Sequence, residues 1–211
     1  PDAPKCIKSG YNFVDDNDDP YDKQSHGTHV ASSIAEQTNN EIGGVGVAFD
    51  ACIMPLKVLS DYGSGTTEDI ATAIRYAADH GAHVLNMSLG GGGHSKVLES
   101  AVKYAADKGV LLFCAAGNGS RNIIEYPAAY DGCLAISSVG PDGNLAFYSS
   151  YGDNGDGIAF ASPGGNMQCK KNGDKWEGCN SSGNRLPEGG VWQSTVSPDD
   201  VNKWGVFPYQ G

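Results

Sequence analysis

Residues 66–118 read TTEDIATAIRYAADHGAHVLNMSLGGGGHSKVLESAVKYAADKGVLLFCAAGN, and the spacing inside that stretch decides the fold. Thr66 stands three residues before Asp69 in a box-like cap, Ile70, Ala73, Ile74 and Ala77 recur at helical intervals, and Gly81 supplies the stop. The apolar run 83–87 then reads as a buried strand. A second helix is expected from about Ser95 to Gly109, with Leu98, Ala101, Val102 and Ala105 inward, and 110–116 follows at once as a strand.

With 51–59 (ACIMPLKVL) as the strand before Thr66, the pattern is strand–helix–strand twice over. That alternation predicts an α/β fold, a doubly wound and mainly parallel sheet with helices on both faces and right-handed crossovers. Ligands in such a sheet bind beyond the carboxyl ends of its strands. Two ends are marked by turn residues, SLGGGG after Met87 and GNGS after Ala116.

Outward from this core the signals weaken. Residues 25–38 (SHGTHVASSIAEQT) read as a helix starting near Ser25, with Val30, Ala31, Ile34 and Ala35 on one face. Pro55 makes 51–59 an irregular or edge-like strand. Residues 1–10 show no strand pattern. From about Gly140 short strands and turns take over, in 145–152 (LAFYSSYG) and 157–164 (GIAFASPG), and 164–190 is a polar, Gly-rich excursion. No internal repeat and no domain boundary emerges, so one domain over 1–211 is expected, with an insertion at about 164–190.

The chain has 211 residues and 30 glycines, about twice the ordinary share, which points to many tight turns and a backbone-lined site. Fourteen basic against 25 acidic side chains leave a net charge of −11, unfavourable for nucleic acid or an anionic membrane surface. No apolar run approaches the ~18 residues of a membrane span, and residues 1–10 lack the basic start and apolar centre of a signal peptide. Any targeting segment is therefore expected outside this chain. Of the six cysteines, Cys52 and Cys114 sit in apolar runs and read as buried thiols, whereas Cys169 and Cys179 flank a Gly/Asn/Lys loop and are expected to bridge.

Familiar motifs fail: there is no G-x-x-x-x-G-K, no intact G-x-G-x-x-G and no G-x-S-x-G elbow. The acidic run Asp15, Asp16, Asp18, Asp19 and Asp22 imitates a calcium loop only superficially. Counting from Asp15, an EF-hand would need Gly at Pro20 and Glu at His26, so a solvated turn is expected. His26 and His29 stand three apart but bring no further zinc ligand with them.

The string Ser25-His26-Gly27-Thr28-His29-Val30-Ala31 closely resembles the histidine motif of the subtilisin-like serine proteases, the subtilases. The likeness continues in order through 39–48 (NNEIGGVGVA), Val58-Leu59, Gly63-Ser64-Gly65, 86–91 (NMSLGG), 115–118 (AAGN), Tyr126-Pro127-Ala128, 161–164 (ASPG) and Gln193-Ser194-Thr195. The resemblance implies peptide hydrolysis by a Ser-His-Asp triad, with His26 as the general base. It makes Asn118 the oxyanion-hole side chain.

Gly63, Ser64 and Gly65 together with Ser88, Leu89 and Gly90 match the two segments between which the family clamps an extended peptide. Ala115, Ala116, Gly117 and Gly90 would wall the pocket for the residue before the cut, and their small uncharged side chains imply a roomy apolar pocket. Thr38, Asn40, Ile42 and Gly44 match a loop that supplies oxygens to a structural calcium. The family's aspartate ligand would lie upstream of Pro1, so calcium is expected in a parent protein and a poor site in this chain. No organic cofactor is implied. Peptide or protein substrates, and a propeptide or proteinaceous inhibitor, are the implied partners, and a secreted or extracytoplasmic setting the implied location.

The family's acid lies in Asp-Ser/Thr-Gly and its nucleophile in Gly-Thr-Ser, and this sequence contains neither. The domain is thus expected to be incomplete at both ends, with Gly211 as the glycine that opens the serine motif. A histidine without its carboxylate and its hydroxyl partner leaves only residual catalysis, so these 211 residues alone are expected to be inactive, with exposed sheet edges. Two other readings stand beside this one: a non-catalytic peptide-binding homologue that kept the clamp, and a His26/His29 metal protein. Of the sequons at Asn86, Asn118 and Asn180, the first two fall at strand ends facing the site, leaving Asn180 as the glycan acceptor.

Overall fold

The computed structural model describes residues 3–152, 157–177, 179, 187–197, 199–200 and 203–211. It divides into two compact units, one of residues 1–77 with 192–207, the other of residues 78–191 with 208–211.

In the first unit, β1 (Cys6–Ile7) pairs in parallel with β3 (Cys52–Ile53), and β2 (Tyr11–Asn12) with β4 (Leu56–Lys57). The stretch 51–59 is therefore two short strands interrupted at Pro55, whose carbonyl accepts from Tyr11 N at 3.1 Å. Residues 1–10 do contain a strand, too short to leave a sequence period. Cys52 is no buried thiol: its sulfur is bonded to that of Cys6, directly opposite in the register.

Helix α1 (His26–Ala35) carries the histidine motif. Its last carbonyls are not left open: Gly46 N donates to Glu36 O, Val47 N to Ser33 O and Ala48 N to Ile34 O, at 2.7 to 3.1 Å. Gly46 is required there, since a Cβ would lie 2.3 Å from Glu36 N. Helix α2 (Thr67–Asp79) starts at the expected cap, Asp69 N donating to Thr66 Oγ1 at 3.1 Å, and buries Ala73, Ile74 and Ala77 of the expected stripe, with Ala71 buried and Ile70 only half-buried.

The second unit is built on a four-stranded parallel sheet in the order β5-β6-β7-β8, formed by Val84–Met87, Leu111–Ala115, Cys133–Val139 and Ile158–Pro163. Helix α3 (Lys96–Asp107) is capped by Ser95 and buries Leu98, Ala101, Val102 and Ala105, all four as read from the sequence. Strand β5 is at one edge of this sheet, with only Met87 buried, so 83–87 is less enclosed than its apolar run suggests. Cys114 is fully buried, yet it is bonded to Cys133 on the adjacent β7 and is not a thiol.

Residues 145–152 form turns with a single bridging residue, Leu145, whereas 157–164 holds β8. The insertion begins with an antiparallel hairpin, β9 (Lys170–Asn172) against β10 (Lys175–Glu177), closed by the Cys169–Cys179 disulfide. Asn180 lies outside the described residues. A turn of 3-10 helix, Pro187–Gly189, leads to β11 (Val191–Val196), which pairs with β12 (Trp204–Tyr209). No helix among the described residues is long and apolar enough to cross a membrane.

Candidate active site

His26 opens α1 and is half-buried. Ser25 before it is left-handed at φ 83° and makes no side-chain cap. The cap comes from Asp22: Oδ1 accepts from Gln24 N at 2.8 Å and Ser25 N at 3.0 Å, and Oδ2 accepts from Thr28 N at 2.8 Å and Thr28 Oγ1 at 2.7 Å. A carboxylate at a helix N-terminus satisfies orphan donors and complements the positive end of the helix dipole. Asp22 is therefore a working member of the acidic run. The other four behave as expected of an exposed turn gathered around Asn12, whose Oδ1 accepts from Val14 N and Asp15 N.

The rest of α1 is held by β11 and β12. Thr195 Oγ1 donates to Ser25 O at 2.6 Å, and Ser194 Oγ donates to the fully buried Glu36 carboxylate just past the helix end. His29 is buried, with Nε2 3.2 Å from Phe207 O, so the second histidine of the pair ties α1 to β12. Gly63, Ser64 and Gly65 belong to this unit too, in an exposed turn closed by Ser60 N on Ser64 O at 2.8 Å and Gly63 N on Ser60 O at 2.9 Å.

The loop carrying Thr38, Asn40, Ile42 and Gly44 alternates left-handed backbone at Asn39, Glu41 and Gly43. Asn40 Oδ1 accepts from Ile42 N at 3.2 Å, and Gly44 N donates to Glu36 Oε1 at 3.0 Å. Hydroxyl, carboxamide and carbonyl oxygens are the donor chemistry calcium takes, so this set fits the ion in kind. The cluster of three residues of metal-ligating type among the described residues lies elsewhere, at Asp142, Cys169 and Cys179, where both sulfurs are consumed in a disulfide.

In the second unit the carboxyl ends of β5, β6, β7 and β8 open into a cavity of about 180 Å³. Ser88, Ala115, Ala116, Gly117 and Asn118 all line it, so five sequence-selected residues share one crevice at the predicted end of the sheet. The Asn118 side chain is exposed, and its Nδ2 lies 3.2 Å from where a Cβ on Gly211 would stand. Ser137, Ser138 and Ser149 line the same cavity. Behind them the Tyr148 hydroxyl meets Ser138 Oγ at 2.7 Å and donates toward Gly165 O at 2.6 Å. Burial pushes the Tyr148 hydroxyl above its ordinary pKa of 10.0, against the opposing pull of its hydrogen bonds to Ser138 and Gly211.

The model of the subtilase family matches residues 1–195. The chain belongs to the subtilase family. It is 45% identical over 171 residues to a halolysin-like extracellular serine protease of Natrialba magadii, covering 80% of this chain and 31% of that protein. It is 38% identical over 181 residues to subtilisin Savinase of Lederbergia lenta, covering 86% of this chain and 66% of that protein. Among solved structures, a protease of Pseudoalteromonas arctica superposes with a TM-score of 0.81 at 29% identity, over 100% of this chain and 68% of that one. The chain thus spans about a third of the length of the halolysin-type relatives it matches.

Asp22, which reads in sequence as part of a solvated turn, and Glu36 and Tyr148 all hold this subtilase chain together. Asp22 had a signal: an acid four residues ahead of a helix-start histidine is placed to cap. Glu36 and Tyr148 had none, because each is a polar group whose partners lie more than eight residues away in at least one direction.

Proposed function

We propose that this chain is part of a secreted serine endopeptidase of the subtilisin type, with His26 as its general base and Asn118 as its oxyanion-hole side chain. A serine supplied by the rest of the protein attacks the peptide carbonyl as His26 takes its proton. The tetrahedral oxyanion accepts from Asn118 Nδ2, and His26 then returns the proton to the departing amine. Gly63, Ser64 and Gly65, and likewise Ser88, Leu89 and Gly90, are the segments that bind extended substrate through its backbone. The observation that carries the reading is an exposed carboxamide at the mouth of a crevice beyond the carboxyl ends of four parallel strands.

Because neither Asp-Ser/Thr-Gly nor Gly-Thr-Ser occurs in the sequence, these 211 residues by themselves are inactive in this account. Calcium belongs to the same reading. Thr38, Asn40, Ile42 and Gly44 would hold it, and the bound ion would supply rigidity to the loop behind α1. Extracellular and cell-wall relatives support secretion.

The test is hydrolysis of a peptide nitroanilide by the purified 211-residue chain and by the whole protein. Hydrolysis that is sensitive to a serine-directed inhibitor is expected from the whole protein and none from the chain alone. Peptide binding by the whole protein without any cleavage would favour the non-catalytic homologue.

A further inference from the structure

The pocket for the residue before the cut reads as apolar when only its small walls are considered. Its surroundings contain a carboxylate. Glu125 and Tyr126 run between two of the segments assigned to substrate: Glu125 N donates to Ala116 O at 2.9 Å, and Gly91 N donates to Tyr126 O at 3.1 Å. Both bonds lie within the second unit. They leave the Glu125 side chain beside Gly117 and Gly90.

Gly117 has φ 114°, and a Cβ there would come within 2.5 Å of Glu125 Cδ and 2.8 Å of Oε1. At Gly90 a Cβ would stand 3.6 Å from Glu125 Oε2. The two glycines are therefore bare where the carboxylate reaches. The Glu125 side chain is 21% exposed, and the cation nearest to its carboxylate in an ion pair is Arg121, with Nη2 3.6 Å from Oε1 and a side chain 56% exposed.

We propose that Glu125 makes this pocket select lysine or arginine before the scissile bond, with Arg121 as the cation that the substrate displaces. This rests on the proteolytic reading of the same site. A half-buried carboxylate whose ion-pair partner is itself solvent-exposed gains from a second cation delivered in a desolvated pocket. A lysine stem is apolar and suits walls of Ala115, Ala116, Gly117 and Gly90, while its ammonium reaches the carboxylate. A leucine at the same place covers the carboxylate without giving it a donor, so the pocket discriminates against it as well as for lysine. The net charge of −11 draws cationic peptides in the same direction.

The experiment compares kcat/KM of the whole protein on two nitroanilides that differ only in lysine or leucine before the bond, for the native sequence, Glu125→Gln and Arg121→Ala. The native protein is expected to prefer lysine. Glu125→Gln should lower the lysine-to-leucine ratio by about tenfold or more, and Arg121→Ala should raise it. A ratio equal in native and Glu125→Gln proteins, with both peptides cleaved, overturns the role of Glu125 and leaves the proteolytic reading standing. If neither peptide is cleaved, the same ratio is read from the Kd values of the two peptides. Lysine preference lost in Glu125→Gln then supports the pocket while the proteolytic reading falls, and an unchanged Kd ratio overturns the pocket too.

Discussion

Asp22 reaches six residues along the chain to hold Thr28 through both its main-chain N–H and its hydroxyl, at 2.8 and 2.7 Å, and so fixes the first turn of the helix that starts at His26. Ser25, at the position where a cap would ordinarily sit, makes no side-chain cap of that turn.

Replacing Asp22 with alanine should therefore destabilise the protein by about 1–2 kcal/mol, the usual worth of a strong N-terminal cap. Asn should recover part of the loss by accepting the same N–H groups without the charge. Denaturant unfolding at neutral pH measures both, and a stability change under a few tenths of a kcal/mol for Asp22→Ala would show that the first turn does not depend on it.

Tyr148 supplies a pH dependence. Its folded pKa is raised above 10.0, while the unfolded chain releases the proton near that value. Above pH 10 the unfolded state then binds fewer protons than the folded one, so this contribution to stability is complete below pH 10 and falls as pH climbs beyond it. Tyr148→Phe should flatten that alkaline fall. Its own cost at neutral pH should be about 1–3 kcal/mol, from the buried Ser138 and Gly165 partners left unmatched. Thermal unfolding between pH 8 and 11 for both proteins gives the comparison.

The three disulfides close loops of different length, with sequence separations of 46, 19 and 10 residues. Chain-entropy arithmetic gives about 4, 3 and 2.7 kcal/mol for Cys6–Cys52, Cys114–Cys133 and Cys169–Cys179. Paired Cys→Ala variants should lose stability in that order, with the fully buried Cys114 and Cys169 each adding a cavity cost to its own pair. A smallest loss on removing Cys6–Cys52 would contradict the ranking.

Helices α2 and α3 were legible because local rules determine them: Thr66 and Ser95 cap, and an apolar stripe turns inward. The crevice was legible because strand ends in a parallel sheet announce themselves by Gly and Asn. Strands β1 and β2 were not, at two residues each, since no period can be counted in so short a run. Cys52 and Cys114 misled because an apolar neighbourhood suits a thiol and a disulfide equally, and only the fold brings the sulfurs together, Cys6 directly across the register from Cys52 and Cys133 two positions out of register on the strand beside Cys114. Glu125 was hidden for a related reason: the glycines of a pocket show in sequence what is absent from its walls, while the side chain that fills the gap comes from elsewhere in the chain.

The most direct test of the central claim is the turnover of Asn118→Ala in the whole protein on a peptide substrate. Loss of an oxyanion donor lowers kcat by about 10²–10³-fold and leaves KM near the native value. A kcat within twofold of native would contradict the assignment of the crevice beyond β6 as the seat of peptide hydrolysis.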